Sequence, residues 1–170
     1  MPDLTPIGYI IDQSQKCIGK RSIQFKYING ITNNVEARYE DISIPGRSEP
    51  IPQYDSTGYD IYPITIQLAT AEEEGFRTTA EDTWSDYLFI KSFQYPEYGP
   101  TWRIARKPPH LALLSIGNKF LQVGQIRGVN GDWSESPIDE NGRPHIIKVT
   151  FNFYVLHEEP LSYEQVKAGY

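Results

Sequence analysis

A strict alternation of apolar and polar residues near the end of the chain restricts its possible folds more than any other feature. Within residues 145–156, Ile147, Val149, Phe151, Phe153 and Val155 stand at every second position, and polar residues stand between most of them. A period of two places successive side chains on opposite faces of a β-strand. The pattern therefore predicts a long strand with one face in a core.

Five other segments have the period or the apolar content of strands. They are residues 20–28, 35–44, 60–69, 111–116 and 119–129. The pair Asn29-Gly30 follows the first of them and predicts a tight hairpin turn, as Gly117-Asn118 does after the fourth. Short hairpin connections imply mostly antiparallel pairing.

Proline and glycine modify this strand pattern in three places. Residues 45–58 contain three prolines and two glycines and are predicted to form a loop. Pro63 lacks an N–H, so its strand is expected to lie at an edge or to begin its pairing late. Gly124 predicts a β-bulge or a close approach of another chain segment.

One segment has the spacing of a helix. Thr78 followed by Glu81 predicts a capping box, in which each side chain accepts a hydrogen bond from the other residue's backbone N–H. Apolar residues then recur at intervals of three and four up to about Phe93. Prolines beyond that point predict an extended connection.

Together these elements predict a mainly β, α+β fold in a single domain. Its antiparallel strands would form two packed sheets or a partly open barrel, with one main helix covering an end or a face. The folded domain is expected to span residues 20–157. Residues 1–19 and 158–170 lack an alternating core pattern, so we predict an N-terminal arm and a C-terminal tail that become ordered on neighbouring chains.

Charge and cysteine content exclude several classes of function. The net charge is −6, which disfavours general nucleic-acid binding, because that function needs clustered Lys and Arg. The single cysteine, Cys17, cannot form an internal disulfide. The sequence shows neither a signal peptide nor an apolar run long enough to cross a membrane.

The sequence contains no motif that indicates catalysis, a metal or a cofactor. The three histidines, His110, His145 and His157, stand apart and outside any HExxH-like pattern, so we expect them at strand ends or in solvent. No Gly-x-Ser-x-Gly elbow and no Gly-rich phosphate loop is present. Residues 139–142 lack the ligand spacing of an EF-hand and are predicted to form a plain turn. We therefore predict a protein without enzymatic activity.

Several aromatic residues occur in segments with the character of loops. They are Tyr95, Tyr98, Trp102 and Trp133. Rings of this kind stack on sugars, pack over the ends of a sheet or pack into a protein partner. We favour packing against a partner for Trp102 and Trp133.

The order of turns and strands resembles that of the tail-tube-fold ring proteins of contractile-tail bacteriophages. The resemblance spans about residues 20–157. It rests on Ile44-Pro45-Gly46-Arg47-Ser48-Glu49-Pro50-Ile51 with Tyr54, the strand Ile61 to Leu68, Phe89-Ile90-Lys91-Ser92-Phe93-Gln94-Tyr95-Pro96, Pro108-Pro109 before Leu111 to Gly117, and Trp133, Pro137, Gly142-Arg143-Pro144 and Val149 to Phe153. Within the family, the chain is most similar to the tube initiators, or hub-to-tube adaptors, of the baseplate.

This resemblance implies a structural role in the virion. The protein would form a hexameric ring that joins the baseplate hub to the tail tube, lines the DNA channel without binding DNA specifically, and is assembled in the host cytoplasm. Contacts between subunits are expected at Asn29, Gly30, Pro45, Gly46, Arg47, Ser48, Glu49, Pro50, Tyr54, Trp102 and Trp133. An acidic channel wall would repel DNA phosphates and favour fast transit.

Alternative functions remain open at this point. Within the tail, the chain is also compatible with the tube protein or a tube-end protein, because it is nearer in length to a bare tube protomer. A carbohydrate-binding β-sandwich would carry coplanar, exposed Trp and Tyr rings. A glycoside hydrolase or peptidoglycan lyase would place two carboxylates ~5–10 Å apart across a cleft.

Overall fold

A computed structural model describes most of the chain. The residues described are 8–13, 22–25, 27–33, 35–43, 45, 49–58, 60–70, 79–98, 105–117, 120–157, 164 and 167. The strands, in chain order, are β1 (Gly8–Asp12), β2 (Ser22–Phe25), β3 (Tyr27–Ile31), β4 (Ala37–Ile42), β5 (Ile51–Thr57), β6 (Ile61–Ala69), β7 (Glu97–Tyr98), β8 (Ala105–Lys107), β9 (Ala112–Ile116), β10 (Phe120–Asp132) and β11 (Ile146–Val155). The helix α1 (Ala80–Ser92) lies between β6 and β7. The predicted α+β, mainly β class with antiparallel strands and one main helix is confirmed for these residues.

Seven strands form the main sheet in the order β2-β1-β9-β10-β11-β6-β3, and every neighbouring pair is antiparallel. The two edge strands, β2 and β3, are separated in the chain by Lys26 alone. A flat sheet of this size would place its edges about 29 Å apart, far beyond the reach of one residue. The sheet must therefore be rolled, although no ladder of hydrogen bonds between the described residues of β2 and β3 closes it into a barrel.

The inside of the rolled sheet is the hydrophobic core. The alternation that dominates the sequence is confirmed, because Ile147, Val149, Phe151, Phe153 and Val155 of β11 are all buried. The neighbouring strand β6 contributes Ile64, Ile66 and Leu68 in the same way. Burial of such side chains stabilises the fold by about 1.5–3 kcal/mol each before the loss of chain entropy is counted.

The helix packs against β6, β10 and β11 and covers the core at these strands. Tyr87, Ile90 and Phe93 on its buried side, the last at the C-cap, belong to the same cluster as the sheet residues. The capping box is present one residue later than predicted: Thr79 Oγ1 accepts from the Asp82 N–H at 3.2 Å, and Asp82 Oδ2 accepts from the Thr79 N–H at 3.3 Å. Aspartate performs the role expected of Glu81, since its carboxylate reaches the same N–H.

The prediction of an arm over residues 1–19 is wrong for Gly8–Asp12. These residues form β1, which pairs with both β2 and β9 inside the main sheet. Ile10 is fully buried, and Gly8 allows Phe25 to pack closely on it. Five residues are too few to show a clear period, so the sequence pattern did not reveal this strand. The predicted tail at 158–170 lies outside the described residues except for Glu164 and Lys167.

Two further expectations about turns and loops are wrong. Asn29 and Gly30 do not form a hairpin turn: they lie inside β3, where Ile28 faces Ile66 and Gly30 faces Thr65, so that Asn29 is the extra residue of a bulge. The predicted loop 45–58 contains strand β5, which pairs with β4. Its prolines are tolerated because a two-stranded ribbon leaves one edge of each strand without a ladder partner.

Three finer predictions have different outcomes. The edge position predicted for the strand of Pro63 is wrong, because β6 is an inner strand that pairs with β11 from Ile61; its pairing begins late only toward β3, at Ile64. β9 and β10 form the predicted hairpin, in which Ile116 lies opposite Phe120 and Gly117 adopts a φ of 57°, and Asn118 lies outside the described residues. Gly124 is a point of close approach, where an added Cβ would lie 2.8 Å from Cζ of Phe153.

Candidate assembly surfaces

The strands β4 and β5 form a two-stranded ribbon that has no core of its own. Every residue of β4 is exposed, and so is every residue of β5 except Ser56, which is half-buried. The strands pack mainly on each other, and the main sheet makes little contact with them. Isolated two-stranded ribbons are marginally stable in water. A ribbon of this kind is typical of a segment that docks on another molecule.

The β4–β5 ribbon carries apolar side chains on both faces. On one face Tyr39 lies opposite Tyr54, with ring centroids 5.9 Å apart in an edge-to-face contact. On the other face Ile42 lies opposite Ile51. These four side chains are 37–61% exposed. Exposed apolar groups clustered in this way mark interaction surfaces more often than isolated ones do.

The same segment is acidic. Among its described residues from Val35 to Gly58, the carboxylates of Glu36, Glu40, Asp41, Glu49 and Asp55 are accompanied by one guanidinium, that of Arg38. All of these side chains are exposed. A partner surface for the ribbon is therefore expected to combine apolar groups with positive or neutral charge.

The predicted contact residues are distributed over several places in this structure. Tyr54 lies on the β4–β5 ribbon, Pro45, Glu49 and Pro50 lie exposed between its strands, and Asn29 and Gly30 are exposed at the bulge of edge strand β3. Gly46, Arg47, Ser48 and Trp102 lie outside the described residues. Trp133 is remote in sequence and packs on α1.

Trp133 forms an aromatic cluster with two residues of the helix. Its ring centroid lies 5.5 Å from that of Trp84 at an interplanar angle of 84°, and 5.7 Å from that of Tyr87 at 65°. Gly131 allows this packing, because an added Cβ would meet the Tyr87 ring. Sugar platforms need rings that present a flat face, whereas these rings meet edge to face. The cluster therefore favours packing over glycan binding.

A charged cluster around His110 could not be recognised in the sequence. His110 lies between two carboxylates: its Nδ1 is 2.9 Å from Asp12 Oδ2, and its Nε2 is 2.9 Å from Glu97 Oε1. Lys107 Nζ approaches the other oxygen of Glu97 at 2.9 Å. The cluster joins the end of β1 to the β7–β8 ribbon. Its members come from distant parts of the chain, so no local spacing could have predicted it.

The shifted pKa values of this cluster indicate that its members stabilise one another's charged forms. The pKa of His110 is raised, chiefly by its hydrogen bond with Asp12 and further by that with Glu97, although burial opposes the shift. The pKa of Glu97 is lowered by hydrogen bonds with Lys107 and His110. A general acid for glycoside cleavage needs a carboxyl pKa that is raised. The charged form of each group is stabilised here instead.

The remaining histidines lie at strand ends, as predicted. His145 precedes β11 and its Nδ1 lies 3.5 Å from Thr70 Oγ1, whereas His157 follows β11 with Nε2 3.1 Å from Asp60 Oδ2. The plain turn predicted at 139–142 is also present, with Asp139 Oδ1 accepting from the N–H groups of Asn141 and Arg143 at 2.9 and 2.7 Å. No group of three or more His, Cys, Asp and Glu suited to a metal ion occurs among the described residues.

The described part of the chain contains no helix that is long and apolar enough to span a membrane. No known protein-family model matches the chain, and no curated protein is significantly similar to it in sequence.

Proposed function

We propose that this protein is a structural subunit that assembles into a ring at the baseplate end of a contractile phage tail. In this role it connects the hub to the tail tube and surrounds the channel through which DNA passes. The observation that carries the proposal is the β4–β5 ribbon, which is exposed at every position except Ser56 and bears Tyr39, Tyr54, Ile42 and Ile51. A neighbouring subunit in a ring would cover these apolar side chains.

The edges of the main sheet also support an assembly role. The edge strands β2 and β3 each have ladder hydrogen bonds on one side only within the described residues. Unpaired edges are sites at which another chain continues a sheet. This feature favours a protein that assembles with other chains.

The experiment that tests the proposal is electron microscopy of the purified protein over a range of concentrations, together with light scattering. Rings with a central channel are expected, six subunits to each. Rings that form only when hub or tube proteins are added would identify the initiator position, and long tubes that form spontaneously would identify the tube protein. A monomer under all of these conditions would contradict the proposal.

A pair of matched variants shows whether the ribbon carries the assembly. The double variant Tyr39→Ser, Tyr54→Ser removes two rings that are 61% and 53% exposed. Its control is Tyr95→Ser, Tyr98→Ser, which removes two rings that are 59% and 56% exposed elsewhere. Loss of buried aromatic anchors is expected to weaken association by roughly thirtyfold or more. The control is expected to assemble normally, and equal loss in both would refute a special role for the ribbon.

A further inference from the structure

The outer face of the main sheet differs between its two halves. On β6 and β11 the outward pairs include Gln67 with Lys148 and Thr65 with Thr150, which suit contact with water, but also Ala69 with Ile146 and Ile61 with Tyr154. On β1, β9 and the first part of β10 the outward residues are apolar except for Ser115. The second half is therefore the more apolar one and carries a patch.

Two rows of side chains define this outer apolar patch. In the first row Ile11, Leu113 and Val123 lie directly opposite one another across β1, β9 and β10. In the second row Tyr9 and Leu121 flank Ser115 in the same manner. Four of these apolar residues are half-buried, and Leu121 is 62% exposed. We define the outer apolar patch as Tyr9, Ile11, Leu113, Leu121 and Val123.

One cation lies on the outer face beyond the patch. Arg127 stands two outward positions after Val123 on β10, where its guanidinium lies 4.3 Å from the centroid of the Tyr154 ring and donates to Gln125 Oε1. These contacts hold the cation in a fixed place on the outer face. Asp12, the one carboxylate on β1, pairs with His110, and its side chain is only 5% exposed. The outer face therefore combines the apolar patch with one fixed cation farther along β10.

We propose that the outer apolar patch of one subunit receives the β4–β5 ribbon of the next subunit. The ribbon and the patch both carry apolar side chains. The ribbon is also acidic, whereas Arg127 on the outer face of the sheet is positive, so the charges of the two surfaces are complementary. The ribbon makes no substantial contact with β1, β9 or β10 of its own chain. Because two different surfaces meet, the contact is head-to-tail, which is the kind that generates a ring.

The expected area explains why ring closure matters. A ribbon of seven residues is about 23 Å long and about 10 Å wide, so one face covers only about 230 Å². Stable pairs of proteins bury about 800 Å² per partner. A single ribbon on a single patch is therefore weak, and the assembly depends on further contacts along the sheet edges and on closure of the ring. This inference rests on the proposed function.

Photo-crosslinking from the patch identifies the occupant directly. Leu121 is replaced by p-benzoylphenylalanine in the full chain, and an equal mixture of ¹⁴N- and ¹⁵N-labelled protein is irradiated under ring-forming conditions. We expect crosslinks between differently labelled chains to peptides of β4 and β5. Rings whose crosslinks fall on other segments, or on residues 158–170 of the same chain, would overturn the patch assignment and leave the ring proposal intact. Absence of rings would instead contradict the proposed function.

Substitutions at the same position test the chemistry of the contact. Leu121→Glu removes an apolar group and opposes the acidic ribbon, and we expect it to weaken association about tenfold or more. Leu121→Lys is expected to weaken association less, since its charge attracts the ribbon. The matched control is Ile138→Glu at a side chain 60% exposed, which is expected to leave association within about threefold. Equal effects of Glu and Lys at position 121 would refute an acidic partner.

Discussion

Gly124 shows how a single residue permits the packing of the core. It lies on β10 beside β11, where an added Cβ would come within 2.8 Å of Cζ of Phe153 and still closer to the carbonyl oxygen of Tyr154. Neither the buried ring nor a ladder carbonyl yields easily, because interiors are packed as densely as organic crystals. The glycine is therefore required by its neighbours rather than by its own backbone angles.

We expect Gly124→Ala to lower the free energy of unfolding by about 1–3 kcal/mol, as overpacked cores do. Urea unfolding followed by fluorescence measures this loss. Gly30→Ala is the control, because an added Cβ at the bulge of β3 would meet nothing within 4 Å. If both variants were equally stable, the close packing of β10 on Phe153 would be wrong.

Among the individual elements, the predictions from sequence succeeded where burial gives a long, regular period. Strands β6 and β11 and helix α1 were predicted within a few residues, since their buried faces repeat over nine or more positions. A turn was wrongly predicted at Asn29-Gly30, because these residues form part of a bulge where β3 pairs with β6. Strand β5 was missed because Pro50 and Pro52 are typical of loops and no residue of β5 faces the core.

The candidate site was only partly predictable for related reasons. Tyr54, Pro45, Glu49 and Pro50 were identified as contact candidates, and all four belong to the exposed segment around the β4–β5 ribbon. The His110 cluster was not predicted, since Asp12 is 98 residues away from His110 in the chain. Such a contact depends on the pairing of β1 with β9, and nothing in the local sequence indicates that pairing.

The His110 cluster predicts a dependence of stability on pH. Because the pKa of His110 is raised above its ordinary value of 6.5, its stabilising contribution is complete below that pH and is lost as the pH rises through the raised value. The lowered pKa of Glu97 acts in the opposite direction: its contribution is present above 4.5 and is lost as the pH falls through the lowered value. The cluster is therefore most stabilising at mildly acidic pH.

We expect His110→Gln to reduce the decline in the free energy of unfolding that the wild type shows above about pH 6.5. The measurement is urea unfolding at half-unit steps from pH 5 to 9, with the titration of the His110 ring followed by NMR. Asp12→Asn removes the largest cause of the shift and is expected to reduce the decline only in part, because Glu97 still raises the pKa of His110. The double variant is expected to have the same pH profile as His110→Gln alone. A profile for His110→Gln parallel to that of the wild type would contradict the assignment.

Across the whole molecule, the free energy needed to open the structure locally differs strongly between regions. The strands β6 and β11 pair over nine residues and bury nearly all of their inner-face side chains, whereas the β4–β5 ribbon is exposed and packs mainly on itself. Regions with little buried apolar surface open with little free energy. The ribbon is therefore expected to open many times without unfolding of the sheet.

Hydrogen exchange measured by mass spectrometry tests this difference. In the monomer we expect amides of β11 to exchange only through global unfolding, and amides of β4 and β5 to exchange at least about a hundredfold faster. In assembled rings the ribbon amides are expected to slow by about tenfold or more, because the contact must break first. Ribbon protection equal to that of β11 in the monomer would show that the ribbon is stable without a partner.

The pairing of β1 with β9 also has a consequence for how the chain folds during synthesis. Gly8 lies opposite Ile116 and Asp12 opposite Ala112, so β1 lacks one neighbour until two thirds of the chain has been made. In the same way, β6 lacks one neighbour until β11 has been made. Contacts between residues so distant in sequence slow folding to milliseconds or longer. During synthesis, the core side chains of β1 and β6 therefore stay partly exposed until β9 and β11 have been made, and the main sheet is completed only after β11 has left the ribosome.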